Sequence, residues 1–274
     1  MTKRVQGIIM DWAGTTVDYG CMAPVQVFLE IFHSKGIEPT MAEVRAPMGL
    51  LKWDHFKTML EMPRIGRLFE ERMGRPYTNS DVDEMHEAFE PKLLGILHRF
   101  SDPIGNVVEV IDQLRREGLK IGATTGYNDT MMKIVADHAR EKGYAPDYWV
   151  TPDSVKGKGR PYPYMIYSNM IELDMGMPSQ VIKVGDTASD MQEARNAGVW
   201  AVGVVDGSSM LGLTKEETAA MEPAALREYT EAAKQQFLYH GAHYVIDQIS
   251  GLPDLIGQVN RRLGEGELPC GHKG

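Results

Sequence analysis

The chain has 274 residues, 43% of them hydrophobic and 24% charged, which leaves room for one large domain or two smaller ones. A formal net charge of -9 with no basic run argues against a nucleic-acid binder, and no apolar stretch approaches the ~18 residues of a membrane span. Two cysteines, Cys21 and Cys270, make no disulfide framework, and no secretory apolar segment follows Lys3 and Arg4, so a cytoplasmic location is expected.

An apolar run at residues 5–10 predicts a first strand, which ends at once on Asp11-Trp12-Ala13-Gly14-Thr15-Thr16-Val17-Asp18. A carboxylate at the end of a buried strand is costly unless it attacks something or holds a metal. Residues 21 to about 100 then read as helices only, near 24–34, 50–61, 64–73 and 80–98. Further strands at 119–125, 148–151, 181–184, 199–204 and 243–246 alternate with helices at 107–117, 128–142, 164–173, 189–197 and 223–239. This alternation predicts an α/β fold, a Rossmann-like parallel sheet covered by helices. Residues 1–20 and 100–263 are expected to form that core, and 21–99 an inserted all-helical cap domain over the carboxyl edge of the sheet. Residues 264–274 read as a flexible tail, in which Cys270 and His272 are expected to be a loose end rather than a metal pair.

Ligands of open α/β sheets bind beyond the carboxyl ends of the strands. Three expected strand ends carry matching polar groups: Asp11, then Thr124-Thr125-Gly126, then Gly185-Asp186-Thr187-Ala188-Ser189-Asp190. Each alone also reads as a helix cap or a turn. All three in chain order, each after an apolar strand, resemble the haloacid dehalogenase superfamily. The resemblance implies phosphoryl transfer through Asp11 as nucleophile, with Thr125 binding the phosphoryl oxygens. It also implies Mg²⁺ held by Asp11, the main-chain oxygen of Ala13 and Asp186, with Asp190 acting through water or by orienting the site. Oxygen donors of this kind suit Mg²⁺. A cation is expected between the second and third motifs, where Lys156, Lys158 and Arg160 all stand. Arg160 best matches the family pattern, and its fork can bind two oxygens. Lys183 falls inside an apolar strand, which implies either a solvated strand end or a carboxylate partner.

Phosphate-ester members of this superfamily carry an acid two residues after the nucleophile, where this chain has Ala13. The stretches Asp11 to Cys21, Pro47-Met48-Gly49-Leu50-Leu51-Lys52, Thr125-Gly126-Tyr127, Arg160-Pro161-Tyr162-Pro163 and Gly185-Asp186-Thr187 together resemble the phosphonatase family. That resemblance implies hydrolysis of the carbon–phosphorus bond of phosphonoacetaldehyde to acetaldehyde and phosphate, within 2-aminoethylphosphonate degradation. Lys52 would form an imine with the aldehyde, so that carbon leaves as an enamine and no alkoxide needs a proton. A Schiff-base lysine must attack unprotonated, which the first turn of a helix starting at Gly49 would favour. His55, three residues on, shares its face and is a candidate proton shuttle, the alternative being an ordinary surface histidine. Gly49, Gly126, Tyr127, Met48 and Cys21 match positions that line the substrate pocket, although Met48 and Cys21 serve equally as core filling. Trp12 is expected to pack in the core. The resemblance implies a homodimer, for which the apolar face of residues 25–32 is either the interface or the inside of the cap. A phosphomonoester hydrolase of the same superfamily, or a silent module sensing phosphorylated metabolites, are the competing readings. Ala13 counts against the first, and the intact acidic and basic set against the second.

Overall fold

The structure, a computed structural model, describes residues 4–48 and 52–269. Two compact units divide the chain: one combines Met1–Gly20 with Ser101–Gly274, and the other is Cys21–Phe100.

The first unit holds a parallel sheet of six strands among the described residues, in the order β3-β2-β1-β4-β5-β6. These are β1 (Gly7–Met10), β2 (Lys120–Thr124), β3 (Tyr148–Val150), β4 (Val181–Gly185), β5 (Trp200–Val204) and β6 (Tyr244–Ile246). β1 is central because both its faces are apolar: Ile8, Ile9 and Met10 are fully buried, as helices on both sides of a parallel sheet require. Met10 lies opposite Ala123 of β2 and Val184 of β4, so the three motif-bearing strand ends stand side by side. The Asp11 amide extends the ladder, donating to the Val184 carbonyl at 2.9 Å.

In chain order, the helices of the other unit come first. They are α1 (Met22–Ser34), α2 (Met41–Arg45), α3 (Lys52–Glu61), α4 (Pro63–Met73) and α5 (Asn79–Ile96). Those around the sheet are α6 (Val107–Arg116), α7 (Asp129–Glu141), α8 (Tyr164–Glu172), α9 (Ala188–Ala197), α10 (Lys215–Ala220), α11 (Pro223–Tyr239) and α12 (Leu252–Gly264). α6 shows why they form: Val107, Val110, Ile111 and Leu114 are buried at helical spacing and, apart from the half-buried Val108, the remaining positions are polar.

In the helical unit, α1 packs on α5, and α3 packs on α4 and α5. Phe28 of α1 meets Phe56 of α3 at 4.7 Å and Phe89 of α5 at 4.8 Å between ring centres. Val25, Val27, Phe28, Ile31 and Phe32 are therefore interior, and of the two expectations for residues 25–32 the inside of the cap holds.

Three helices exceed the sequence expectation. α2 and α10 have 5 and 6 residues, too few to show a period, yet Thr40 and Thr214 each form a capping box with a glutamate three residues on. α12 buries Leu252, Leu255, Ile256, Val259 and Leu263. The expected loose tail is corrected as far as residue 269. Arg262 pairs with Glu267 at 2.5 Å, and the buried Pro269 offers its carbonyl to Arg195 at 3.0 Å and His243 at 2.7 Å. Those backbone groups find partners on the core, which a composition rich in glycine and charge does not reveal. Cys270 and His272 lie outside the described residues.

Candidate active site

The expected site residues divide between the two units. Asp11, Ala13, Thr125, Gly126, Tyr127, Arg160, Asp186 and Asp190 belong to the α/β unit, and Cys21, Met48, Lys52 and His55 to the helical unit. Gly49 lies outside the described residues.

In the α/β unit, Asp11 leaves β1 into a tight loop. The Thr15, Thr16 and Val17 amides all donate to the Trp12 carbonyl, at 3.1, 2.8 and 3.0 Å, and the Gly14 amide donates to the Val17 carbonyl at 2.8 Å. The Thr16 hydroxyl donates to the Asp11 carbonyl at 2.9 Å. None of these bonds uses the Ala13 carbonyl. Gly14 sits at φ +80°, and a Cβ there would lie 2.3 Å from Asp186 Oδ2, so only glycine lets the loop press against that carboxylate. Trp12 is fully buried, edge-on to Tyr144 with ring centres 5.2 Å apart.

Asp11, Asp186 and Asp190 each offer an oxygen within 4.8 Å of the others, and all three are buried. Asp186 Oδ2 accepts from the Ser209 amide at 2.9 Å and hydroxyl at 2.7 Å, whereas its Oδ1 is buried without a partner among the described residues. Burial first, and then the charges of Asp11 and Asp190, push the Asp186 carboxyl well above its ordinary value. An orphaned carboxylate oxygen, crowded by two more carboxylates, is what a hard divalent cation relieves, so these residues fit a metal. Asp190 differs. Its Oδ2 accepts from the Thr187 amide at 3.1 Å in the capping box of α9, and its Oδ1 faces Lys183 at 2.9 Å and Arg160 at 3.0 Å. Its Oδ2 is hydrogen-bonded by the protein, and its Oδ1, which makes no hydrogen bond among the described residues, faces two cations.

Arg160 gives each guanidinium nitrogen to a different side. Nη2 bonds Asp11 Oδ1 and the Thr124 carbonyl at 3.0 Å, Nη1 faces Asp190, and Nε lies 3.4 Å from Glu193 Oε2. Lys183 is fully buried with Nζ 3.0 Å from the Thr124 hydroxyl, so the carboxylate-paired expectation holds and the solvated strand end does not. Lys156 and Lys158 are exposed. The Thr125 hydroxyl accepts from the Tyr127 amide at 3.0 Å, which leaves its hydrogen free to donate. Gly126 is exposed, with open space where a Cβ would stand, so protein packing does not demand glycine there. Sequence reasoning did not find Glu193, a fully buried acid on α9 that accepts from the Thr124 hydroxyl at 3.0 Å. Its one visible signal is its place three residues after Asp190, on the same helix face.

In the helical unit, α3 starts with Lys52 among the described residues. Its ammonium lies 5.8 Å from the Phe28 ring centre and 5.7 Å from that of Phe89. Burial pulls the Lys52 pKa below its ordinary value, and the neighbouring Cys21 opposes that shift. His55 is buried, stacked on Phe28 with ring centres 3.7 Å apart, so the surface-histidine alternative is corrected. Its Nε2 donates to the Val44 carbonyl at 2.9 Å, which makes Nδ1 an acceptor, buried and without a partner among the described residues. Burial, and secondarily the Lys52 charge, lower the ring to about 3, so it is neutral near pH 7. Cys21 caps α1 in a left-handed conformation at φ 52°, and both it and Met48 are partly exposed.

A family model for haloacid dehalogenase-like hydrolases matches residues 5–198. A Bacillus cytotoxicus protein named phosphonoacetaldehyde hydrolase is 50% identical over 259 residues, 94% of this chain and 98% of that protein. The Bacillus anthracis protein of the same name is 49% identical over the same coverage. Among solved structures, a phosphonoacetaldehyde hydrolase-like protein from Oleispira antarctica superposes with a TM-score of 0.86 at 38% identity, covering 97% of this chain and 96% of that one.

Proposed function

The chain belongs to the haloacid dehalogenase-like hydrolase family, and on that premise we propose that it cleaves the carbon–phosphorus bond of phosphonoacetaldehyde, releasing acetaldehyde and phosphate. The observation that carries this reading is the pairing of two features. Ala13 stands where an ester phosphatase needs its acid, and Lys52 is a lysine whose surroundings favour the free amine.

The Lys52 amine adds to the aldehyde carbon and water departs, leaving a protonated imine. Electrons of the carbon–phosphorus bond flow into that imine as the Asp11 carboxylate bonds phosphorus, so carbon leaves as an enamine. Water then hydrolyses the aspartyl phosphate to phosphate. Protonation of the enamine carbon regenerates the imine, whose hydrolysis frees acetaldehyde and Lys52. One water is consumed in total. Arg160 and the Thr125 hydroxyl hold phosphoryl oxygens, the former by charge-assisted hydrogen bonds. Mg²⁺, held by Asp11, the Ala13 carbonyl and Asp186, would offset the repulsion between the carboxylate and the anionic phosphorus centre. Asp190 orients Arg160 and Lys183 rather than binding the metal directly. His55, neutral near pH 7, offers Nδ1 as a hydrogen-bond acceptor, and Met48, Cys21, Gly126 and Tyr127 are the further candidates for substrate contact. Such an enzyme works in phosphonate catabolism, downstream of a transamination of 2-aminoethylphosphonate, in a reducing cytoplasm and as a homodimer.

Borohydride added during turnover, followed by peptide mass mapping, tests the reading. A reduced two-carbon adduct on Lys52 is expected, and Lys52→Arg is expected to lose both adduct and phosphate release. Phosphate release that survives in Lys52→Arg would exclude the imine route.

A further inference from the structure

Glu193 is a fully buried carboxylate for which the proposed chemistry has no task. It stands on α9 behind the guanidinium of Arg160, within reach of three groups. The Thr124 hydroxyl donates to its Oε2 at 3.0 Å, Arg160 Nε lies 3.4 Å away and Lys183 Nζ 3.8 Å away. A threonine hydroxyl has one hydrogen and two lone pairs. With the hydrogen committed to Glu193, the lone pairs of Thr124 turn to the two cations, Lys183 Nζ at 3.0 Å and Arg160 Nη2 at 3.3 Å. The direction of this hydroxyl is thus set by Glu193. Without that acceptor the hydrogen would be free to point toward the cations and oppose them.

Arg160 needs such a fixture. A guanidinium beside Asp11 and Asp190 alone could turn its fork toward either carboxylate, or swing its plane between them. Nε makes no hydrogen bond among the described residues, its nearest carboxylate oxygen being Glu193 Oε2 at 3.4 Å, so the plane is set at Nη2, which Thr124 holds by its carbonyl and its hydroxyl.

We propose that Glu193 is a positioning residue, which through the Thr124 hydroxyl locks the guanidinium plane of Arg160 for the phosphoryl group. The proposal rests on the role given to Arg160 above. Its test uses the Mg²⁺-loaded protein with Glu193→Gln, Thr124→Val and Thr124→Ser. Rotation of the Arg160 guanidinium about its Nε–Cζ bond is followed by nitrogen-15 NMR, with Arg160→Lys assigning the resonance, and steady-state kinetics are measured on phosphonoacetaldehyde. Faster rotation is expected in Glu193→Gln and Thr124→Val, and parental rotation in Thr124→Ser, which keeps the hydroxyl. In step with this, kcat should fall about 10- to 100-fold in the first two, as misplacement of a catalytic group does, with KM changing far less. The double variant should be no worse than either single one, because both remove the same bond. Unchanged rotation in Thr124→Val, or additive losses in the double variant, would overturn the proposal. If Glu193→Gln does not fold, the contrast between Thr124→Val and Thr124→Ser decides alone. A parent protein inert toward phosphonoacetaldehyde would overturn the functional reading instead, and the rotation measurement would still decide the positioning.

Discussion

At the scale of single residues, the two reactive groups make separable demands. Asp11→Ala is expected to lower phosphate release by about 10⁴-fold or more, as loss of a nucleophile does. Imine formation at Lys52 needs no carboxylate from Asp11, so the borohydride adduct should persist in that variant. Phosphate release near the parental rate would remove Asp11 as the nucleophile. His55 gives a prediction about stability. In the unfolded chain its ring takes a proton near 6.5, whereas in the folded protein it stays neutral down to about 3. Between those values the unfolded state holds the extra proton. The stabilisation is therefore complete above pH 6.5 and drains away as the pH falls toward 3. From pH 6.5 to 5 the parent should lose roughly 1.5 kcal/mol more stability than His55→Leu, read from urea titrations at the two pH values. Equal losses would mean that the ring is protonated when folded.

The residue scale also separates what a sequence can disclose from what it cannot. Asp11, Thr125 and Asp186 were legible because each ends an apolar run, and the parallel fold gathers strand ends at one edge. The absent acid at Ala13 was legible in the same way. Lys183 and Glu193 were not. A charged residue inside a strand or on a helix face has no one-dimensional mark that says whether its partner will be water or Asp190 and Thr124. Only the packing of α9 on β4 and β5 decides it.

At the scale of elements, most strands and longer helices announced themselves by period, while the short ones depended on their caps. α5 shows how much a cap carries. Asp81 accepts from the Thr78 amide at 2.8 Å and hydroxyl at 2.7 Å, and pairs with both Arg75 terminal nitrogens at 2.7 Å. The Arg75 guanidinium holds its carboxyl well below the usual range. Asp81→Ala should destabilise the start of α5 by about 1 kcal/mol, the ordinary worth of an N-terminal cap. Hydrogen exchange should quicken in the first turn of α5 and leave α6 unchanged. Exchange unaltered across α5 would show that the cap is idle. In the parent this stabilisation is present above the ordinary carboxylate pKa of 3.8 and fades as the pH falls through the depressed one.

At the scale of the whole molecule, the exposed apolar residues are unevenly placed. Tyr164, Tyr167 and Ile171 recur at helical spacing on α8 and are 42%, 37% and 80% exposed, with Tyr162 stacked on Tyr164 just before it. A contiguous apolar stripe of this kind suits an interface, whereas the face of residues 25–32 is already consumed inside the helical unit. The proposed homodimer is therefore expected to use α8. Ile171→Glu places a charge at its most exposed point and should yield monomers in light-scattering chromatography. A variant that stays dimeric at micromolar concentration would move the interface elsewhere.

Lys183 brings a different consequence. Its amine is sealed inside the sheet, with no accessible surface, between Asp190 and Thr124. A small aldehyde and a mild reductant would alkylate surface amines within minutes to hours, but this one only while the core stands open. The mass gained on the peptide that carries Lys183 would accumulate as a covalent record of opening events, a dosimeter for breathing of the sheet. The same reagents that trap the proposed chemistry at Lys52 would thus time the excursions of the scaffold beneath Asp11 in a single digest.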